Sequence, residues 1–167
     1  ITWIKDIQGD LNNPLPVSTM IHANRSVHFE MVTPMAAVAG TIAELSANST
    51  FREGATLVIC NNGGDIALRM APGENVTVGI NKGLQSRNGL SAKIKIDATS
   101  GIHGICTSGM GGRSLTCGIA QSVTVLGAHT SMTDVAATSV ANQVSVEHPN
   151  ISKKLAEELQ PYTDIEG

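Results

Sequence analysis

A chain of 167 residues with a formal net charge of -3 corresponds to one domain, at roughly 100–200 residues per domain. A hydrophobic content of 41% excludes a disordered chain, and the acidic balance with only 2% aromatics excludes a nucleic-acid groove, which needs basic surface and stacking rings. The core must be built from Ala, Val, Ile, Leu and Met, and 17 glycines imply many tight turns.

Residues 1–32 are mixed: Pro14 and Pro16 break any regular element, and His22 to Met31 can hold a strand. A helix is expected over 33–48. Thr33 can cap it, Pro34 suits the first helical position, and Met35, Val38, Ile42 and Leu45 recur at helical spacing. Ala36, Ala37, Ala39, Gly40 and Ala43 complete that face and let another backbone approach closely.

Strand-like runs follow at Ala55–Asn61 and Asp65–Met70, joined by Asn62-Gly63-Gly64. Asn-Gly between two apolar runs is a strong hairpin signal, because the central residues need positive φ. Val76–Ile80, the alternating Ala92–Ala98, Ile102–Thr107 and Ser122–Leu126 are further strands. Residues 132–145 and 150–159 read as helices. No repeat is visible. The pattern is α+β, with a mixed, antiparallel-rich sheet and packed helices rather than strict βαβ alternation.

Three cysteines, Cys60, Cys106 and Cys117, show no paired spacing, so the expectation is a reducing cytoplasm and no disulfide framework. Sequons at Asn24, Asn48, Asn75 and Asn150 then read as accidental. No apolar run approaches the roughly 20 residues of a membrane helix, so no membrane partner is expected. Ile1 is not an initiator Met and no basic stretch follows it. The chain therefore reads as a processed form or fragment.

Asp134 and Thr138 are four apart and share one helix face. A carboxylate beside a hydroxyl offers hard oxygen to magnesium. The plainer alternative is a Ser131-x-x-Asp134 capping box, with Thr138 bonding back to the residue 134 carbonyl. In Thr107 to Ser114, Gly109, Gly111 and Gly112 can bring amides close to an anion, Ser108 and Ser114 can donate, and Arg113 can fork onto a phosphate. The stretch is neither a P-loop nor a dinucleotide fingerprint, and its plain alternative is a turn with a solvated Arg. Gly63, Gly64 and Asp65 form a hairpin tip at which Asp65 can orient a ligand or serve as a turn residue. Cys106 and His103, three apart on a strand, point to opposite faces, so a buried structural thiol is expected. The histidines lack zinc spacing, and Ser108 or Cys106 lacks the His–acid pair of a hydrolase.

Several segments carry a resemblance together. They are Pro34-Met-Ala-Ala-Val-Ala-Gly-Thr-Ile-Ala-Glu44, Asn62-Gly-Gly-Asp-Ile-Ala-Leu68, Gly104-Ile-Cys-Thr-Ser-Gly109 through Gly112-Arg-Ser114, Ser122-Val-Thr-Val125 and Asp134-Val-Ala-Ala-Thr138. In order and spacing, from about residue 33 to the C-terminus, this set resembles the uncharacterised ApbE-like family, a branch of the FAD:protein FMN transferase superfamily. The resemblance implies a mixed α+β fold in one domain over 1–167, lacking a family N-terminal segment. It also implies a flavin-nucleotide pocket lined by the Gly63-Gly64-Asp65 hairpin. Magnesium would be held there by Asp134 and Thr138, with a backbone carbonyl near Ala39 as third protein ligand, and would bridge the FAD pyrophosphate.

Two departures bear on activity. The transferases' Lys-Gly-Tyr stretch reads Val38-Ala-Gly-Thr41 here, and Gly109 and Val123 are too close to hold their His-rich segment. Retention of a nucleotide or phosphate site is therefore expected over FMN transfer onto a protein. As an enzyme the chain would be a magnesium-dependent flavin-nucleotide transferase or pyrophosphatase. The alternative is a non-catalytic accessory protein in sulfur-amino-acid (homocysteine) formation or flavoprotein assembly. The expected ligand is a small molecule bearing phosphate, such as FAD or FMN. The small-residue helix face leaves open a homodimer or a protein partner.

Overall fold

In the computed structural model, which describes residues 13–27, 32–81, 90–111 and 116–152 together with Lys154 and Glu158, the first element is a helix, α1, over Leu15–Val27. The two prolines expected to break this region instead sit at its start. Pro16 lies in the first turn, where an N–H has no partner to lose, and the Pro14 carbonyl accepts from Ser18 N at 3.1 Å. The strand expected from His22 to Met31 is therefore helical through Val27, and residues 28–31 lie outside the described residues.

Thr33, with an extended backbone, precedes a 3-10 turn over Pro34–Ala37, and its side chain makes no capping bond. Helix α2 continues over Val38–Arg52, four residues past the expected end. Its buried residues are Gly40, Thr41, Ala43, Glu44 and Ala47, whereas the large periodic residues Met35 and Ile42 stay 63% and 50% exposed. The small side chains let α2 lie close against neighbouring backbone, and bulk would prevent it. A Cβ added at Gly40 would lie 2.7 Å from both Asp134 Cβ and the Thr130 carbonyl oxygen.

Four strands form one antiparallel sheet in the order β1-β2-β5-β6: Leu57–Asn62, Asp65–Met70, Gly104–Ser108 and Val123–Gly127. The β1–β2 register runs from Asn62↔Asp65 to Leu57↔Met70. It closes through Gly63 and Gly64, whose φ values of 70° and 117° suit glycine. Strands β3 (Asn75–Asn81) and β4 (Leu90–Asp97) form a separate antiparallel pair. Helix α3 spans Thr130–Gln143, two residues earlier at each end than expected. Residues 150–152 are not helical, and most of the remaining 150–159 span lies outside the described residues.

Strand alternation divides the sheet between two layers. Ala67 of β2 packs with Val58, Ala43 and Ala47 under α2. Leu68 and Met70 face the other way, with Ile105 and with Ile96 of β4. A third apolar cluster of Ala23, Val32, Ala37 and Val135 joins α1, the 3-10 turn and α3. The result is a mixed α+β fold with helices on one face of the main sheet and the β3–β4 pair on the other.

Candidate functional site

Two carboxylates cross between α2 and α3, and both bond backbone near a helix start. Gly40 N, in the first turn of α2, donates to Asp134 Oδ2 of α3 at 2.8 Å. Ser131 N, in the first turn of α3, donates to Glu44 Oε2 of α2 at 2.8 Å. The helices thus run antiparallel, and each supplies an anion to the positive end of the other. The capping box of Ser131 with Asp134 does not form: His129 is the cap residue, and the Asp134 carboxylate reaches across to α2. Glu44 also approaches Arg69 Nη2 at 3.5 Å and His129 Nδ1 at 3.7 Å, while Arg69 Nε donates to Asn48 Oδ1 at 2.6 Å.

A cleft of about 450 Å³ opens where the β1–β2 tip meets the ends of β5 and β6. Gly63, Gly64, Asp65, Ser108, Gly109 and Gly111 all line it, so the hairpin tip and the Ser-Gly loop, at least 43 residues apart in sequence, share one wall. Ile66, Val78, Ile80 and Ile105 give the cleft an apolar side. The loop has committed two of its amides: Met110 N donates to the Ala120 carbonyl and Gly111 N to the Gln121 carbonyl, each at 2.9 Å. These two N–H groups do not point at an anion. Gly112, Arg113 and Ser114 lie outside the described residues.

Asp65 is the joint between cleft and helices. Its Oδ1 accepts from Thr107 N at 3.2 Å and its carboxylate reaches the Cys106 thiol. Burial raises its pKa above the ordinary carboxylate value, against the pull of those bonds. Asp134 is only 7% exposed. Burial first, then the Asp65 charge, pushes its pKa up to about 7, and the Gly40 N–H opposes the shift. Cys106 is fully buried and donates to the Thr130 carbonyl at 3.4 Å. Burial holds its thiol far above the ordinary range, so it is no nucleophile at neutral pH.

The family model described as "AbpE bacteria" matches residues 5–167. The chain belongs to the AbpE bacteria family. It is also similar to UPF0280 proteins of methanogens. It is 36% identical to that of Methanococcus vannielii over 94% of this chain and 63% of the relative. The identity is 40% to that of Methanothermobacter thermautotrophicus over 79% and 49%, and 36% to that of Methanosarcina barkeri over 81% and 51%. The chain therefore spans about half to three-fifths of the length of these relatives.

For this AbpE bacteria chain, the magnesium implied by the ApbE-like resemblance can be tested against the donors present. Asp134, Thr138 and the Ala39 carbonyl offer three hard oxygens, as magnesium prefers. Asp134 Oδ1 and the Thr138 hydroxyl have no hydrogen-bond partner among the described residues. The Ala39 oxygen lies within α2, where it takes the helical bond from the amide four residues on, and it also accepts from Asn62 Nδ2 at 3.3 Å, so both of its lone pairs are engaged. The two side chains fit, and the carbonyl would join them by giving up the Asn62 bond. No three His, Cys, Asp or Glu side chains gather as a metal centre among the described residues, so a cation here must draw on hydroxyl and carbonyl oxygen as well as carboxylate.

Sequence reasoning missed the Glu44–Arg69–His129 network and the contribution of β3 to the cleft. Glu44 and Ser131 are 87 residues apart, beyond any local pattern. The alternation of Val76, Val78 and Ile80 marked a strand but gave no sign that it would wall a cleft.

Proposed function

We propose that this chain carries an ApbE-like site for a phosphate-bearing small molecule, a flavin nucleotide such as FAD or FMN, used together with magnesium. The observation that carries the reading is the hairpin tip: Asp65 lines the cleft with Ser108, while its strand partner Asn62 donates to the Ala39 carbonyl beside Gly40, the residue that bonds Asp134 of the Asp-x-x-x-Thr helix. Asp134, Thr138 and the Ala39 carbonyl would hold the ion, which would supply neutralisation of charge on a pyrophosphate. Asp65, Ser108 and the backbone of Gly63, Gly64 and Gly109 would orient the ligand. The apolar wall of Ile66, Val78, Ile80 and Ile105 suits one face of a flat heterocycle. Gly111 lines the cleft with its amide bonded to Gln121, and a phosphate contact by Gly112, Arg113 and Ser114, which lie outside the described residues, stays part of the proposal from the sequence alone.

As an enzyme, such a protein would transfer or hydrolyse at a pyrophosphate. The test is incubation with FAD and magnesium. AMP release supports the enzyme; FAD binding without release supports a binding protein.

The second reading is a non-catalytic accessory protein for sulfur-amino-acid (homocysteine) formation or flavoprotein assembly. It is favoured by the cleft's composition: Asp65 is the one titratable side chain among the described residues lining it, so no His or Lys stands ready as a general base. Co-purification of a partner with no AMP release would support it. Both readings carry a cytoplasmic location and one domain over 1–167. No helix among the described residues is long and apolar enough to cross a membrane.

A further inference from the structure

Three acidic side chains, Glu44, Asp65 and Asp134, lie wholly or partly buried at the α2, α3 and β2 contact, and they are treated unequally. Glu44 has the Arg69 guanidinium as a cationic neighbour at 3.5 Å and the His129 imidazole at 3.7 Å. Asp65 and Asp134 receive one backbone N–H each, from Thr107 and Gly40, and pair with no Lys, Arg or His among the described residues. Two carboxylates withdrawn from water beside one another are unfavourable unless a cation or a proton compensates them.

A second, independent feature sits at the same place. The Ser108 hydroxyl is buried without a hydrogen-bond partner, and the residue is 5% exposed. Alternation along β5 puts Ser108 on the same side as Cys106, whose thiol touches α3 at Thr130. Asp65 shares its side of β2 with Ala67 and Arg69, which meet α2. Ser108 and Asp65 also line the same cleft. Asp65 and Ser108 therefore lie on the helix side of the β2–β5 end, the side on which Asn62 of the same hairpin reaches Ala39 and Asp134 bonds Gly40, and Thr138 lies one helical turn beyond Asp134.

We propose that Asp65 is a ligand of the same cation as Asp134, with the Ser108 hydroxyl joining the oxygen set, so that the site takes a hard divalent cation before any nucleotide is present. The inference rests on the magnesium reading above and deepens it: a residue assigned to orient the organic ligand becomes part of the ion site. Two carboxylates, hydroxyls and a carbonyl are the donors that magnesium or manganese takes alongside water.

The test uses the full chain and the metal alone. Manganese binding is followed by loss of the free-ion paramagnetic resonance signal, and magnesium binding by the shift in melting temperature, with no nucleotide added. Asp65→Asn and Ser108→Ala are compared with wild type and with Asp134→Asn. The expectation is that Asp65→Asn weakens manganese binding by at least about tenfold, since even supporting groups around a metal change affinity by that much. Its metal-free melting temperature should stay level or rise, because the repulsion between carboxylates is gone. Ser108→Ala, which also relieves an orphan hydroxyl, should weaken binding several-fold.

Wild-type manganese affinity in Asp65→Asn, with binding lost in Asp134→Asn, would overturn the role of Asp65 and leave the magnesium reading standing. Absence of any manganese or magnesium binding by wild type without nucleotide would also overturn the inference. The magnesium-dependent FAD titration would then decide the functional reading separately.

Discussion

Gly40 and Asp134 are fastened to each other from opposite helices: the Gly40 amide donates to Asp134 Oδ2 at 2.8 Å, and the glycine has no room for a side chain because Asp134 Cβ occupies that space. One contact thus sets both the spacing of α2 and α3 and the position of the carboxylate on which the proposed ion site depends. Gly40→Ala should force the helices apart and cost about 1–3 kcal/mol, the usual cost of overpacking. Denaturant unfolding measures the loss, and an unchanged midpoint would show that the contact has slack.

The raised pKa of Asp134 makes a signed prediction. Its folded value, about 7, lies above its ordinary 3.8, so the folded state holds the proton more tightly. The stabilisation is complete below the ordinary value and is lost as pH rises through about 7. Metal-free protein should therefore melt at progressively lower temperature between about pH 4 and pH 7. Asp65 shifts in the same direction and adds to the slope. Asp134→Asn should flatten the slope, and magnesium should raise the wild-type melting temperature more at about pH 8 than at about pH 5. A wild-type slope that survives in Asp134→Asn would assign the titration elsewhere.

Glu44 joins Arg69 to the start of α3. Glu44→Ala removes an acceptor from Ser131 N and takes from the partly buried Arg69 guanidinium its anionic partner while its bonds to Asn48 and Leu68 remain, with an expected loss of about 1–3 kcal/mol. Combining it with Arg69→Met should cost less than the sum of the single changes, because the two residues share one interaction. Strict additivity in a double-mutant cycle would deny the coupling.

The cysteines should separate by reactivity. Cys117 is exposed, Cys60 is half-buried, and Cys106 is fully buried with its thiol held far above the ordinary range. A thiol reagent applied at about pH 8 should label Cys117 first and spare Cys106 until the protein unfolds. Peptide mapping after timed labelling reads the order, and early modification of Cys106 would contradict its burial.

The strands were readable from local chemistry. Asn62-Gly63-Gly64-Asp65 announces its turn through the need for positive φ, and β2 begins at Asp65 as expected. The pairing of Asp134 with Thr138 follows from helical period alone. Other features escaped because their causes are not local. Pro14 and Pro16 read as breakers, yet proline is harmful only past the first turn, so α1 forms behind them. Met35 and Ile42 share the helical apolar period but stay exposed, because the tight approach of α3 and the sheet selects glycine and alanine for the inner face. The amides of Met110 and Gly111, which a glycine-rich loop offers to an anion, are taken by the carbonyls of Ala120 and Gln121, from a segment ten residues downstream. Nothing near Glu44 in the sequence points to Ser131.

The central claim is a cation-assisted ligand site built on Asp134, and calorimetry tests it most directly. FAD is titrated into wild type and Asp134→Ala, each with magnesium and with a chelator. The account predicts binding by wild type that requires magnesium and is lost in Asp134→Ala, while the variant's circular dichroism stays native. Equal FAD binding by both proteins, or wild-type binding indifferent to the chelator, would contradict it.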